Sequence, residues 1–207
     1  MIPFTVLHVC MGNICRSPMA ERLLVLAARH RLAKLDAAAD LDGLLRSTSA
    51  GTGGWHEGEE MNPPAARQIL LRGGRVDGFT ARKLRTTHLA QADLIVTATG
   101  DQLDYVHALL PNAAGRTFVL GHLSRLLPGV AGLPPVSTEP AAFAARAAEL
   151  VAAADRVRGD VPAMPEDDLD DPWGRGDQTF ARIADAIDEA MYVLVDALLP
   201  VAPKRAE

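Results

Sequence analysis

Ten consecutive residues, Cys10-Met11-Gly12-Asn13-Ile14-Cys15-Arg16-Ser17-Pro18-Met19, hold the densest chemistry in the chain. A thiol attacks as thiolate, and a helix N-terminus or a nearby cation favours that form. The loop 11–16 offers successive backbone N–H groups, which make an anion-binding nest when they point inward. Gly12 and Asn13 suit such a loop because both tolerate positive φ. Arg16 adds a planar fork that grips two oxygens of a phosphoryl group. Ser17 reads as an N-cap and Pro18 as the first helical residue; the Ser17 hydroxyl is also placed to donate to the Cys10 sulfur. Together these residues suggest sulfur attack on a bound oxyanion. One competing use is a zinc site built from Cys10, Cys15 and His8 or His30. The chain has two cysteines and no CxxC pair, so zinc is a poor fit. The other is a pair of plain buried cysteines beside a helix start.

The elements around this stretch must place the cysteine at a strand end. Phe4–Val9 reads as a buried strand, and Ser17 to Lys34 as a helix with Met19, Leu23, Leu26, Ala27 and His30 on one face. Residues 36–45 read as a turn or helix extension, Arg46–Ala50 as a strand, and Gly51–Gly54 as a loop. A helix starts at Asn62-Pro63-Pro64 and stops near Gly73-Gly74. Asp93–Ala98 and Arg116–Leu120 read as strands, with a helix over Asp101–Leu110 between them that Pro111 ends. Residues 128–137 look like a loop, Thr138–Arg158 like an alanine-rich helix capped by Thr138, and 159–177 like an irregular acidic loop. The last helix runs from Gln178 to Leu199 with the stripe Phe180, Ile183, Ile187, Met191, Leu194, Leu198. Strands alternating with helices imply an α/β fold. The expectation is a single-domain three-layer α/β/α sandwich over 1–207, with a parallel sheet of about four strands. Ligands in such sheets bind at the carboxyl ends of strands, where Cys10 falls.

Composition narrows the partners. The net charge is −5 and no basic cluster stands out, so nucleic acid and anionic membranes are poor fits. Two cysteines argue against a secreted disulfide scaffold. No basic and apolar leader precedes the first strand, and no apolar run is long enough to span a bilayer. A reducing cytoplasm is the expected setting. The six histidines (His8, His30, His56, His88, His107, His122) show no ligand spacing and read as surface or packing residues; no metal or cofactor is expected.

Expelling an alkoxide or phenolate needs a proton donor, and one carboxylic acid can serve as acid and then as base. The run Glu166-Asp167-Asp168-Leu169-Asp170-Asp171-Pro172-Trp173 offers five carboxylates, and composition does not choose among them. Crowded like charges are expected to raise some of their pKa values.

Residues 10–21, Cys-Met-Gly-Asn-Ile-Cys-Arg-Ser-Pro-Met-Ala-Glu, resemble the signature of the low-molecular-weight protein tyrosine phosphatases. The resemblance implies that Cys10 is the nucleophile. It also implies that Met11, Gly12, Asn13, Ile14, Cys15, Arg16 and Ser17 form the phosphate loop. The family carries its acid in an Asp-Pro-aromatic element before the last helix, which selects Asp171, with Asp170 and Asp168 as fallbacks. Pro172 helps fix its direction. Ser49-Ala50-Gly51-Thr52 also resembles a family segment. It implies that Ser49 bonds Asn13, and that Trp55 and Trp173, with Met11, flank an aromatic substrate. Two positions depart from the family. Phe79-Thr80 stands where a supporting histidine is common, and Val96-Thr97-Ala98-Thr99 stands where many relatives have methionine. Segment 128–160 is longer than the family pattern and reads as a loop-and-helix elaboration.

The implied function is metal-independent hydrolysis of phosphotyrosine through a cysteinyl-phosphate, by a monomer or weak dimer. Partners would be a phosphotyrosine protein and a tyrosine kinase. Arsenate reduction is the nearest alternative. It would need an external thiol, since no cysteine follows Cys15. Phosphoarginine hydrolysis is a second: in relatives of that type a threonine follows the nucleophile, and Met11 favours an aromatic ester. A phosphopeptide-binding module without catalysis is a third. Cys15 is placed to capture an oxidised Cys10 as a disulfide.

Overall fold

A computed structural model describes residues 2–35 and 40–200. Four strands, β1 (Phe4–Cys10), β2 (Leu45–Gly51), β3 (Leu94–Thr97) and β4 (Thr117–Val119), form one parallel sheet in the order β2-β1-β3-β4. The helices are α1 (Arg16–Lys34), α2 (Leu41–Leu44), α3 (Pro63–Leu71), α4 (Thr86–Gln91), α5 (Gly100–Leu109), α6 (Leu120–Leu126), α7 (Pro140–Val157) and α8 (Asp177–Leu198). Every residue of β1 is buried, and its side chains alternate between two cores as the pleat requires. Phe4 and Val6 join the larger core beneath α1, α3, α6, α7 and α8. Leu7 and Val9 join a smaller one with Leu89 of α4 and Val106 of α5. Helices thus cover both faces, which is the expected three-layer arrangement.

The order reverses at β1: the chain goes to β2 on one side and returns to β3 on the other. Cys10 ends β1, so its loop lies at the switch point where parallel sheets bind ligands. The α8 stripe is fully buried, Phe180, Ile183, Ile187, Met191, Leu194 and Leu198 alike, and α8 packs chiefly on α1. Gly73, at φ +82, closes α3 as expected; Gly73 N–H and Gly74 N–H donate to Leu70 and Ile69 carbonyls at 3.0 Å each. Among the described residues, no helix is long and apolar enough to cross a membrane.

Several expectations need correction. On α1, Met19, Leu23 and Ala27 are buried, with Ala20, Leu24, Ala28 and Leu32 beside them, but His30 is exposed and bonds Tyr192. Residues 36–39 lie outside the described residues; 41–44 form a single helical turn capped by Asp40. Helix α7 is capped by Glu139, not Thr138, because the Glu139 carboxylate accepts the Ala141 and Ala142 N–H groups ahead of Pro140. Leu120 does not extend β4 but opens α6 directly. Helices α4 and α6 were not foreseen.

Candidate active site

Cys10 sits in a buried hydrogen-bond chain. Its sulfur lies 3.0 Å from Ser17 Oγ and accepts the Asn13 backbone N–H at 3.3 Å. Asn13 Nδ2 donates to Ser17 Oγ at 2.9 Å and to Ser49 Oγ at 2.8 Å. Because Ser17 Oγ already accepts from Asn13, its own proton is free to point at the sulfur, where it favours the thiolate. Ser49 donates in turn to Glu21 Oε2 at 2.6 Å. Burial pushes the Glu21 carboxyl above its usual range, opposed by the Ser49 hydroxyl and the Arg22 and Arg82 charges. Asn13 Oδ1 accepts the Arg82 N–H at 2.9 Å, and Arg82 Nε donates to Ser49 O at 2.6 Å. A backbone amide thus supports Asn13 although Phe79-Thr80 lacks the histidine.

The loop geometry differs from the expectation in two places. Asn13, at φ +55, is the only non-glycine residue in the left-handed region among those described, while Gly12 is not in it. A Cβ on Gly12 would instead meet His56 Cδ2 at 3.1 Å. Gly51 is required for closeness: a Cβ there would lie 2.7 Å from Met11 O. Ser17 is not the N-cap. Helix α1 starts at Arg16 behind Cys15, which makes no side-chain cap, and Pro18 sits two residues inside. The Ser17 hydroxyl is taken by Cys10 and Asn13, so it has no role at the helix end.

Arg16 is buried. It donates to Leu169 O at 3.0 Å and to Asp171 Oδ2 at 2.7 Å, and its Nε has no partner among the described residues. The acidic run is sorted by partner. Asp167 binds Arg125 through both oxygens, Asp168 accepts the Gly100 N–H at 2.8 Å, and Asp170 binds Arg182 at 2.6 Å. Only Asp171 lines the cavity that Cys10 and Arg16 share. Asp171 Oδ1 also accepts the Trp173 N–H at 3.1 Å, a local turn that aims the carboxylate. The fallbacks Asp168 and Asp170 are committed elsewhere. The expected rise in carboxylate pKa is reversed in two of the run. Burial pushes Asp167 up, but Arg125 and the Met164 N–H outweigh it and hold it low; Arg182 holds Asp170 low.

The cavity encloses about 180 Å³. Cys10, Gly12, Ile14, Cys15 and Arg16 line it together with Met11, Trp55 and Trp173. Trp55 is 72% and Trp173 63% exposed, and although the Trp55 ring rests on Gly53, both keep surface open to a flat group. His56 lines it too, with Nδ1 2.8 Å from Glu59 Oε2. That corrects its reading as a surface or packing residue; the His56-x-x-Glu59 spacing beside Trp55 was its only trace in the sequence. His8 is a packing residue as read: burial pushes its ring down to about 3, and Nε2 lies 3.1 Å from Ser47 Oγ. Cys15 is buried with an unpaired thiol, pushed up to about 12 by burial and by the neighbouring Cys10 and Asp171.

Residues 5–128 match the family model described as low molecular weight phosphotyrosine protein phosphatase. The stretch ends before the segment that carries Asp171. Low molecular weight protein-tyrosine phosphatase A of Mycobacterium tuberculosis is 42% identical over 113 residues, which is 55% of this chain and 60% of that protein. The protein-tyrosine-phosphatase YfkJ of Bacillus subtilis is 37% identical over 108 residues, 51% of this chain and 62% of that one. The chain therefore spans about three fifths of the length of these curated relatives. Among solved structures, a protein tyrosine phosphatase from Entamoeba histolytica with Hepes in its active site superposes with a TM-score of 0.63 at 20% identity, covering 92% of this chain and 94% of that one. The tyrosine phosphatase Wzb of Escherichia coli K30, in complex with sulphate, gives 0.61 at 20% identity, covering 93% and 96%. At that identity the likeness speaks for the fold.

Proposed function

The chain belongs to the low molecular weight phosphotyrosine protein phosphatase family, and from that premise we propose that it hydrolyses phosphotyrosine in proteins by way of a cysteinyl-phosphate. The observation that carries the proposal is the meeting of Arg16 and Asp171. These residues are 155 positions apart in sequence, yet 2.7 Å apart at the cavity that Cys10 lines. One cation thus adjoins both the phosphate loop and the proton donor.

In this reading the Cys10 thiolate attacks phosphorus. The S–P bond forms as the bond to the aryl oxygen breaks. Arg16 and the amides of Met11, Gly12, Ile14 and Cys15 hold the three equatorial oxygens, where charge must be stabilised, while the Asn13 amide stays on the Cys10 sulfur. Bound phosphate competes with Asp171 for the Arg16 guanidinium, and the released, protonated Asp171 carboxyl gives its proton to the departing phenolate. The resulting carboxylate then takes a proton from water, which attacks phosphorus and releases phosphate and the thiolate; such acid–base work is typically worth about 10²–10⁴ in rate. Asn13, Ser17 and Ser49 keep the sulfur in place. Met11, Trp55 and Trp173 hold the ring. No step calls on a metal.

Residues 1–207 are read as one domain, supported by Phe143, Ala147 and Leu150 of the elaboration sharing a core with α8. A cytoplasmic site of action, a tyrosine-phosphorylated protein and its kinase as partners, and Cys15 as a redox guard complete the proposal. Rates on phosphotyrosine, phosphoserine and phosphoarginine peptides in EDTA, with arsenate-dependent thiol oxidation alongside, test it. Hydrolysis of phosphotyrosine foremost is expected; a preference for phosphoarginine or for arsenate would refute it.

A further inference from the structure

Every residue from Asp167 to Asp171 is tied to another element of the fold, Leu169 O and Asp171 sharing Arg16. Asp167 is only 5% exposed, and Arg125 of α6 holds its two oxygens at 2.8 and 2.6 Å. Arg125 also donates to Pro162 O at 2.8 Å, and the Met164 N–H donates to Asp167 Oδ2 at 2.7 Å. Under this pair the backbones touch: a Cβ on Gly121 would lie 2.6 Å from Asp167 O and 2.7 Å from its Cα. Leu169 N–H then donates to Ala98 O at 2.8 Å, and Leu169 O receives Arg16.

The ties differ in strength. The pair of Asp170 with Arg182 is more than half exposed on both sides, and such pairs contribute little. The Arg125 fork on a buried carboxylate is charge-assisted and bidentate, which fixes direction as well as position. Asp171 follows Asp167 by four residues, at most about 13 Å of chain, with Leu169 anchored to Ala98 O between them. Helix α6 opens directly from β4, so the fork stands on the sheet itself.

We propose that Arg125, gripping Asp167 over Gly121, is a positioning residue for the general acid, setting where the Asp171 carboxyl meets the leaving-group oxygen. This rests on the phosphatase reading above. A general acid matters most for a basic leaving group, because a weakly basic phenolate departs without a proton. Arg125→Met is therefore expected to lower kcat/KM for phenyl phosphate about tenfold while changing that for 4-nitrophenyl phosphate by about twofold or less. Arg125→Lys should recover part of the loss. Arg125→Met added to Asp171→Asn should cost nothing further on phenyl phosphate, since the acid it serves is gone.

Equal losses on the two esters, or a further tenfold loss in the Asp171→Asn background, would overturn the proposal. Thermal melts by circular dichroism check that each variant is folded at the assay temperature. If Arg125→Met is not, Gly121→Ala, which pushes on the Asp167 backbone and removes no charge, carries the same comparison. Failure of the unaltered protein to hydrolyse either ester refutes the phosphatase reading instead. Amide hydrogen exchange then reads the grip alone: Arg125→Lys should speed exchange at Leu169, and unchanged exchange there would sink it.

Discussion

Replacing Asn13 by alanine removes three side-chain hydrogen bonds at once, two donated to Ser17 and Ser49 and one accepted from the Arg82 N–H. At about 1 kcal/mol net each, with about 1 more for leaving the Arg82 N–H without its acceptor, the loss is about 4 kcal/mol. Alanine must also hold φ +55, which costs about 1–2 kcal/mol. The sum for Asn13→Ala is about 5–6 kcal/mol, a large share of the roughly 5–15 kcal/mol that holds a domain together. Asn13→Gly loses the same bonds but accepts the left-handed conformation. Its greater chain entropy returns part of that gain, so it should recover about 0.5–1 kcal/mol. Asn13→Asp keeps the acceptor for Arg82 but draws the Ser17 proton away from Cys10. It should fold better than alanine yet slow Cys10 alkylation by iodoacetamide. Urea unfolding gives the stabilities. A cost below about 1 kcal/mol for alanine, or a glycine variant no better than alanine, would refute this account of the loop.

Three further outcomes follow from named residues. Burial lowers His8 from 6.5 to about 3, so the unfolded chain binds the extra proton first. Stability is then full above pH 6.5 and falls below it by about 1.4 kcal/mol per unit. Urea midpoints from pH 7 to 4.5 should show that slope in the native chain and a shallower one in His8→Leu; equal slopes refute it. Cys15 is the opposite case: burial raises it from 9.0 to about 12, so its contribution is present below pH 9 and lost as pH rises toward 12. Between pH 9 and 10.5 the native chain should lose more stability than Cys15→Ala, by about 1.4 kcal/mol per unit; parallel curves contradict this. As a redox guard, Cys15 should let peroxide-treated protein recover activity with reductant. Cys15→Ala recovering as fully would remove that role.

What was legible in the chain was local. Cys10, Arg16 and Ser17 belong to one strand end and one helix start, so their spacing alone gathers them. The α8 stripe repeats over 22 residues and could hardly be read otherwise. Helices α4 and α6 escaped because six and seven residues are too few for a period to show, and α6 starts with no turn after β4. The acidic run was ambiguous for a different reason. What separates Asp171 from its neighbours is partners 12 to 155 positions away in sequence, Arg182 for Asp170, Arg125 for Asp167 and Arg16 for Asp171, and no local pattern encodes those. Ser17 was misjudged as a cap because capping preference is a local average, and here the hydroxyl serves the cysteine.

The central claim is that Cys10 takes the phosphoryl group. Quenching the unaltered protein in acid during turnover of an aryl phosphate, with EDTA present, and mapping phosphate by peptide mass spectrometry tests it most directly. The account predicts a phosphoryl group on the Cys10 peptide, its accumulation in Asp171→Asn relative to the rate of its formation, and its absence with loss of turnover in Cys10→Ser. Turnover that persists in Cys10→Ser, or turnover with phosphate mapped to another residue, would contradict it.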